Sequence, residues 1–212
     1  MPFTTRADFD QRAASRLAPA DAVFDDVIRT DHDLNPDWPA PDAKTLRRAA
    51  VLVGLIDRGE DYGVLLTLRP DTMPSHAGQV AFPGGRIEPG ETALAAALRE
   101  ANEEVGVDPG SVRVLGQGDT YVTGSGFAIS PFVGVLPPDF VPAPHAREVA
   151  DVFETPLSFL MDEANHQRHE REYRGVLRAY YAMPHNGRYI WGATAGMIKS
   201  LYDRLYGPDR DR

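Results

Sequence analysis

The sequence contains no cysteine, which excludes disulfide bonds, thiol catalysis and thiolate metal sites. It has no long hydrophobic run either, because the longest, residues 49–56, is far too short to cross a bilayer as a helix. Basic residues are few: 22 Lys and Arg stand against 31 Asp and Glu, for a net charge of −9. This balance argues against a protein that binds nucleic acid or anionic membranes. Residues 1–19 lack the apolar segment of a signal peptide, so we predict a cytoplasmic protein.

The chain carries enough apolar material for one full core, since 42% of its 212 residues are hydrophobic. Residues 4–17 place apolar side chains at helical spacing and predict a short amphipathic helix. Residues 18–43 carry several Pro and Asp residues and predict an extended arm. We therefore expect residues 1–43 to pack on a domain formed by residues 44–212. A homodimer is left open, because the sequence does not determine the oligomeric state.

Several later segments have the patterns of buried strands. Residues 48–57 have a continuous apolar centre, which predicts a strand buried on both faces, with residues 62–68 as its hairpin partner. The Asn-Gly pair within residues 184–187 predicts a second hairpin. Residues 194–206 predict a terminal helix with one buried apolar side.

The most informative stretch is residues 78–107, which contains a predicted helix from Thr92 to Val105. Four alanines favour the helix, and Gly106 stands where a left-handed C-cap glycine belongs. An apolar stripe is expected to pack this helix on the core. Its members are Leu94, Ala97, Leu98, Ala101 and Val105.

Three glutamates of this helix, Glu100, Glu103 and Glu104, are expected to share one arc away from the apolar stripe. A solvated acidic face is the ordinary interpretation. However, like charges at i,i+4 repel by a few tenths of a kcal/mol, and negative charge near a helix C-terminus costs about 0.3–1 kcal/mol for each residue. A hard divalent cation such as Mg²⁺ or Mn²⁺ would account for the cluster, because such ions prefer oxygen ligands.

The loop before the helix adds to this pattern. Pro83, Gly84 and Gly85 predict a turn with unusual backbone angles. Glu91 can reach Arg99, and this ion pair would tie the loop to the helix. An ordinary turn and a surface ion pair worth under about 1 kcal/mol are the alternatives.

The spacing G-x5-E-x7-R-E-x-x-E-E-x-G, which runs from Gly85 to Gly106, resembles the signature of the Nudix hydrolases, and every fixed position is filled. The resemblance implies an α/β fold, the Nudix α/β/α sandwich with a mixed β-sheet. It also implies Mg²⁺- or Mn²⁺-dependent hydrolysis of a nucleoside diphosphate linked to another moiety. The same resemblance assigns some of these residues to metal binding and others to orienting them. It also implies that either Glu103 or Glu104 is the general base. The metal ligands are Glu100, Glu103, Glu104 and the Gly85 carbonyl, and the orienting pair is Glu91 and Arg99.

A second stretch, residues 65–85, resembles the subgroup of this family that cleaves coenzyme A. That resemblance implies the products adenosine 3′,5′-bisphosphate and 4′-phosphopantetheine. Two positions depart from the subgroup pattern, Pro70 and Pro74, where a small residue and an arginine are usual. The positions that match, and that the resemblance assigns to substrate binding, are Arg69, His76, Gly78 and Gln79.

Other functions stay open at this point. The absent arginine at Pro74 favours another nucleoside diphosphate derivative, such as ADP-ribose, NADH or a nucleotide sugar. A Nudix fold that binds a nucleotide without hydrolysing it is the third hypothesis, although a pure binder has no need of a dense carboxylate cluster. Glu148 and Glu154 are candidates for an additional carboxylate near the metal, with solvent-exposed strand charge as the alternative.

Overall fold

The structure, a computed structural model, describes residues 5–22, 28–38, 41–72, 77–173 and 175–208. Within these ranges the chain forms four α-helices and twelve strands. The helices are α1 (Arg6–Arg16), α2 (Ala93–Val105), α3 (Leu157–Leu160) and α4 (Ala193–Tyr206). The strands are β1 (Ile28–Thr30), β2 (Arg47–Asp57), β3 (Tyr62–Leu68), β4 (Val80–Ala81), β5 (Gly84–Arg86), β6 (Arg113–Gln117), β7 (Thr120–Val122), β8 (Phe127–Leu136), β9 (Asp151–Pro156), β10 (Gln167–Tyr173), β11 (Val176–His185) and β12 (Arg188–Trp191).

The larger sheet contains β1 to β9 and has β2 near its centre. Its main path runs β1-β7-β8-β2-β3-β4, with β5 paired to β2, β6 to β8 and β9 to β3. The pairs β1–β7 and β2–β8 are parallel, and the other pairs are antiparallel. The sheet is therefore mixed, as the sequence predicts.

Helices cover both faces of this sheet, because the central strand is apolar on both sides. One face packs against α2, and the other packs against α1 and α4. The two faces of β2 are formed by Ala50, Leu52 and Ile56 towards α2, and by Val51, Val53 and Leu55 towards α1 and α4. The predicted α/β/α sandwich is confirmed.

A smaller antiparallel sheet, β10-β11-β12, packs beside α4. Its β11–β12 turn uses Asn186 and Gly187 at φ 46° and 76°. Two positive φ values in a two-residue loop are the geometry that the Asn-Gly signal predicts. Asn35, in the arm before β2, fastens this sheet: its amide donates to the Ala179 carbonyl at 2.9 Å and accepts from the Ala179 N–H at 2.8 Å.

The amphipathic helix expected at residues 4–17 corresponds to α1, whose Phe9 and Ala13 are buried in the core. The division of the chain at residues 43 and 44 stays a prediction. In the ranges that the structure describes, no helix combines the length and apolar character needed to cross a membrane.

Candidate metal and catalytic site

The loop at the candidate site approaches its neighbours too closely for side chains. β5 pairs with β2 so that Gly85 lies opposite Ala50. A Cβ on Gly84 would lie 2.4 Å from the Ala50 carbonyl oxygen, and one on Gly85 would lie 2.4 Å from Cδ of Glu100. Glycine is therefore required at position 84, where the obstacle is backbone. At position 85 the obstacle is the Glu100 carboxylate, which lies directly on the loop backbone.

Helix α2 has a defined start and end, and these set the direction of its glutamates. Thr92 is the N-cap, and its hydroxyl accepts from the Ala95 N–H at 3.2 Å. Gly106 is the C-cap in the left-handed conformation, with φ 76°, as its position in the sequence predicts. Beyond it, the N–H groups of Ala143 and His145 donate to the last carbonyls of α2, each at 2.9 Å.

Arg99 joins the loop to the glutamates. Its Nε and Nη2 donate to the two carboxylate oxygens of Glu91 at 2.9 and 3.1 Å, and Nη2 also donates to the Arg86 carbonyl at 3.1 Å. Its Nη1 donates to Glu100 at 3.0 Å and to Glu103 at 3.4 Å. This hydrogen bonding from Arg99 lowers the pKa of Glu91. The guanidinium group thus holds the loop carboxylate with one side and the helix carboxylates with the other.

Glu104 differs from the other two helix glutamates. The prediction that it lies on an arc of α2 away from the apolar stripe is wrong. Its side chain is buried, with the residue 5% exposed, and accepts from the Gly84 N–H at 3.1 Å. Glu104 follows Ala97 by seven residues, which is two helical turns, so both lie on the same side of α2. Glu103, by contrast, keeps 55% of its side chain exposed.

Burial shifts the acidity of this cluster. It raises the pKa of Glu104 to about 7, and the negative charge of Glu100 adds to the effect while the Gly84 N–H opposes it. Burial also raises the pKa of Glu100, against the hydrogen bond from Arg99. In the metal-free cluster, neutral pH is therefore close to the pKa of the Glu104 carboxyl group.

This buried carboxyl group predicts a pH-dependent effect of Glu104→Gln on stability. With a pKa of about 7 when folded against 4.5 when unfolded, the folded chain binds more protons between these values. The contribution of Glu104 is fully present below pH 4.5 and is lost as pH rises through 7. Glutamine cannot ionise, so metal-free Glu104→Gln is expected to gain about 3 kcal/mol of unfolding free energy over wild type between pH 4.5 and pH 8.

Urea denaturation of both chains at the two pH values measures this gain. Glu60→Gln, on an exposed turn between β2 and β3, is the matched control. The same difference between Glu104→Gln and wild type at both pH values would contradict the raised pKa.

The donors at this site fit Mg²⁺ or Mn²⁺, because carboxylate and carbonyl oxygens are the ligands that these ions prefer. In the part of the chain that the structure describes, no three acidic or His side chains already converge closely enough to hold an ion. Arg99 lies against Glu100 and Glu103, and Glu104 turns to Gly84. A divalent ion would need the three carboxylates to turn towards one another, while Arg99 keeps its two bonds to Glu91.

The substrate-binding residues expected from residues 65–85 lie where β3 passes towards β4. The Arg69 N–H donates to the Gln79 carbonyl at 3.0 Å, and the Gly78 N–H donates to the Arg69 carbonyl at 3.2 Å. The charge of Arg69 lowers the pKa of Glu104. Its Nε is buried and has no hydrogen-bond partner among the described residues. His76 and Pro74 lie outside the described residues.

The two candidates for an additional carboxylate differ in position. The charge of Glu148 raises the pKa of both Glu100 and Glu104, and its own carboxylate lies 3.7 Å from His145 Nδ1. It follows the segment that caps α2, where its N–H donates to the His145 carbonyl at 2.9 Å. Glu154 instead accepts two hydrogen bonds from Arg58, at 2.6 and 3.0 Å. The sequence offers no signal that separates the two, because the difference comes from a loop that folds over α2.

Comparison with known proteins agrees with this geometry. The chain matches the family model of the NUDIX domain over residues 45–180. It is 38% identical over 182 residues to the uncharacterized Nudix hydrolase NudL of Enterobacter sp. (strain 638), covering 85% of this chain and 94% of that protein. It is 41% identical over 156 residues to the protein of the same name from Cronobacter sakazakii, covering 73% and 81%.

A solved structure shares the fold. The crystal structure of RenU, a Nudix hydrolase from M. smegmatis, superposes with a TM-score of 0.50 over 78% of this chain and 90% of that chain. Its sequence identity of 19% makes this a likeness of fold alone. The match to the family model and the identity with the NudL proteins along most of both chains lead to one conclusion: this chain belongs to the Nudix hydrolase family.

Proposed function

We propose that this Nudix hydrolase is a divalent-metal-dependent pyrophosphatase that cleaves the diphosphate of coenzyme A or its derivatives. The products would be adenosine 3′,5′-bisphosphate and 4′-phosphopantetheine. The observation that carries the reaction class is the position of Glu100 and Glu104 against the backbone of Gly85 and Gly84, with Glu103 joined to Glu100 through Arg99. The substrate rests on the resemblance of residues 65–85 to the coenzyme A subgroup.

The three helix glutamates and the Gly85 carbonyl would hold Mg²⁺ or Mn²⁺. When bound, such an ion would lower the pKa of an attacking water and neutralise the charge of the leaving phosphate. Glu104 is buried beside the loop and accepts from the Gly84 N–H, so only a short movement of its carboxylate would bring it to an ion held at the Gly85 carbonyl. Glu103 is exposed and held only by a 3.4 Å contact to Arg99, which suits the group that takes the proton from water.

Arg99 and Glu91 act as positioning residues in this proposal. Their two parallel hydrogen bonds lock the loop to α2, and paired guanidinium–carboxylate bonds of this kind add geometric specificity. Arg69 is the proposed contact for a substrate phosphate, because its buried Nε lacks a partner among the described residues. Gly78 and Gln79, paired to the backbone of Arg69, would set the direction of that side chain.

A substrate panel tests the proposal. Purified protein with Mg²⁺ or Mn²⁺ is given coenzyme A, acyl-coenzyme A, ADP-ribose, NADH and nucleotide sugars, and products are identified by mass. We expect the highest kcat/KM for coenzyme A compounds and no activity with EDTA. Preference for another compound would retain the assignment as a hydrolase and reject coenzyme A as its substrate. The prolines at positions 70 and 74 make that outcome a specific alternative. Metal binding without any hydrolysis would favour a nucleotide sensor.

A further inference from the structure

Outside the carboxylate cluster, two arginines converge on one phenylalanine ring. Phe127, the first residue of β8, lies directly opposite Arg47 on β2. The guanidinium carbon of Arg47 lies 3.8 Å from the centroid of the Phe127 ring, and that of Arg86 on β5 lies 5.9 Å from the same centroid. Both arginines are exposed. These three residues, which we call the arginine clamp, present two positive charges to solvent over one apolar ring.

The charges of the clamp are not balanced by the groups around them. Arg47 Nη2 donates to the Ser125 carbonyl at 2.7 Å, which directs the side chain without neutralising it. The guanidinium group of Arg86 has the Phe127 ring as its contact. In the ranges that the structure describes, no carboxylate pairs with either group, although the chain contains 31 Asp and Glu residues. Two like charges held at one ring repel each other, and a bound anion would relieve that repulsion.

Arg86 is tied to the proposed metal-binding loop by its own backbone. It directly follows Gly85, and its carbonyl accepts from Arg99 Nη2 at 3.1 Å. One edge of β5 pairs with β2, and on the other edge the Gly84 N–H donates to Glu104. No second strand pairs with β5 among the described residues. The carboxylates of α2 therefore reach an edge of β5 that strands leave open.

The two faces of β5 serve different groups. Gly85 lies opposite Ala50, which packs against α2, whereas Arg86 lies opposite Ala49. Because successive strand residues point to opposite faces, the side chain of Arg86 leaves β5 on the face away from the glutamates. The rest of the clamp shares that face, since position 47 precedes position 49 by two residues. A ligand that crosses the open edge of β5 can contact the glutamates at one end and the clamp at the other.

The substrate of the proposed function requires an additional anion site. Besides its diphosphate, coenzyme A carries a phosphate monoester on the ribose, and this group remains on the product adenosine 3′,5′-bisphosphate. A divalent ion at the glutamates would answer the charge of the diphosphate, which leaves the monoester without a cation. Proline stands at position 74, where the coenzyme A subgroup usually has an arginine. The charge for the monoester therefore has to come from another part of the chain.

We propose that Arg47 and Arg86 bind the phosphate monoester of the substrate and thereby select coenzyme A over diphosphates that lack it. Arginine binds phosphate through two N–H groups of its planar fork. Two guanidinium groups also match the charge of a monoester, which is close to −2 at neutral pH. The Phe127 ring supports both groups through cation–π contact. This site deepens the proposed function, on which it rests for the identity of the substrate.

Kinetics with two substrates test the selection. Dephospho-coenzyme A lacks only the phosphate monoester, so the ratio of kcat/KM for coenzyme A to that for dephospho-coenzyme A isolates the contribution of that group. Wild-type protein with Mg²⁺ is expected to favour coenzyme A by about tenfold or more, the effect of one hydrogen bond to a charged group. Arg86→Gln is expected to reduce this ratio about tenfold. Arg47→Gln is expected to reduce it as well.

Arg113→Gln is the matched control, because it removes an exposed arginine from β6, where Arg113 lies opposite Val135. That position is about 26 Å from Phe127 along β8. The control is expected to keep the wild-type ratio, and circular dichroism verifies that all variants fold. A wild-type ratio near one, or a wild-type ratio retained in Arg86→Gln, would overturn the proposal. An equal reduction in Arg113→Gln would also overturn it, because the effect would then come from net charge alone.

Binding without turnover separates this inference from the proposed function. In isothermal titration calorimetry of metal-free protein, adenosine 3′,5′-bisphosphate is expected to bind about tenfold more tightly than AMP, and Arg86→Gln is expected to abolish the difference. If coenzyme A is not hydrolysed while this difference is found, the reaction is rejected and the site is retained. If coenzyme A is hydrolysed but the bisphosphate binds no more tightly than AMP, the reaction is retained and the site is rejected.

Discussion

Glu103→Gln is expected to lower kcat by a factor of about 10²–10⁴, the range for removal of a catalytic proton acceptor. The substitution keeps the size of the side chain and removes its charge and its basicity. The fold is expected to be retained, because the side chain is 55% exposed and its one contact, to Arg99 Nη1, is 3.4 Å long. Steady-state kinetics with Mg²⁺ and a urea titration of both chains measure the two effects together.

Glu60→Gln is the matched control for this substitution, since it removes the same charge from an exposed turn at the other end of β2. It is expected to leave kcat within about twofold of wild type, as surface substitutions away from a site usually do. Near-normal activity of Glu103→Gln would remove Glu103 from the reaction. A large loss of stability would show instead that its role is structural.

Gly85→Ala is expected to reduce kcat/KM by about 100-fold or more. The new Cβ would lie 2.4 Å from Cδ and Oε1 of Glu100, so that carboxylate must leave the loop backbone. A displacement of about 1 Å at a catalytic site can cost 10²-fold in rate. The obstacle is the end of a flexible side chain rather than backbone, so the chain is expected to fold with the carboxylate displaced.

Two glycines of the same chain serve as comparisons for Gly85→Ala. Gly110→Ala adds a methyl group 3.5 Å from Asp108, an ordinary contact in the turn after α2, and is expected to be active. Gly84→Ala places its Cβ 2.4 Å from the Ala50 carbonyl oxygen, so it is expected to disturb the β2–β5 pair and the fold itself. Wild-type activity in Gly85→Ala would show that Glu100 need not lie on this loop.

Local patterns in the sequence predict much of this fold. The apolar centre of β2, the Asn-Gly turn before β12 and the glycine C-cap of α2 each depend on residues close together in the chain. Their positions in the structure match those expected. The pairing of Glu91 with Arg99 is confirmed as well, because a fixed offset of eight residues brings the two side chains together.

What could not be predicted depends on distant parts of the chain. Glu104 is buried because the loop of β5 closes over α2, and helical periodicity alone does not register that cover. Glu148 acts on the pKa of Glu104 because residues 143–149 fold back over the C-terminus of α2. The ring contacts of His169 with Tyr180 and Tyr189 likewise could not be predicted, since the three residues come from strands that meet only in the register of the small sheet.

The central claim is that Glu100, Glu103 and Glu104 together hold a divalent ion. Electron paramagnetic resonance of free Mn²⁺ during titration tests it most directly, because the free ion is counted without any substrate or turnover. Wild-type protein at pH 8 is expected to bind at least one Mn²⁺ per chain, and Glu104→Gln is expected to weaken that binding about 10–100-fold. Glu60→Gln should bind as wild type does. Equal Mn²⁺ binding by all three chains would place the metal elsewhere and contradict the account.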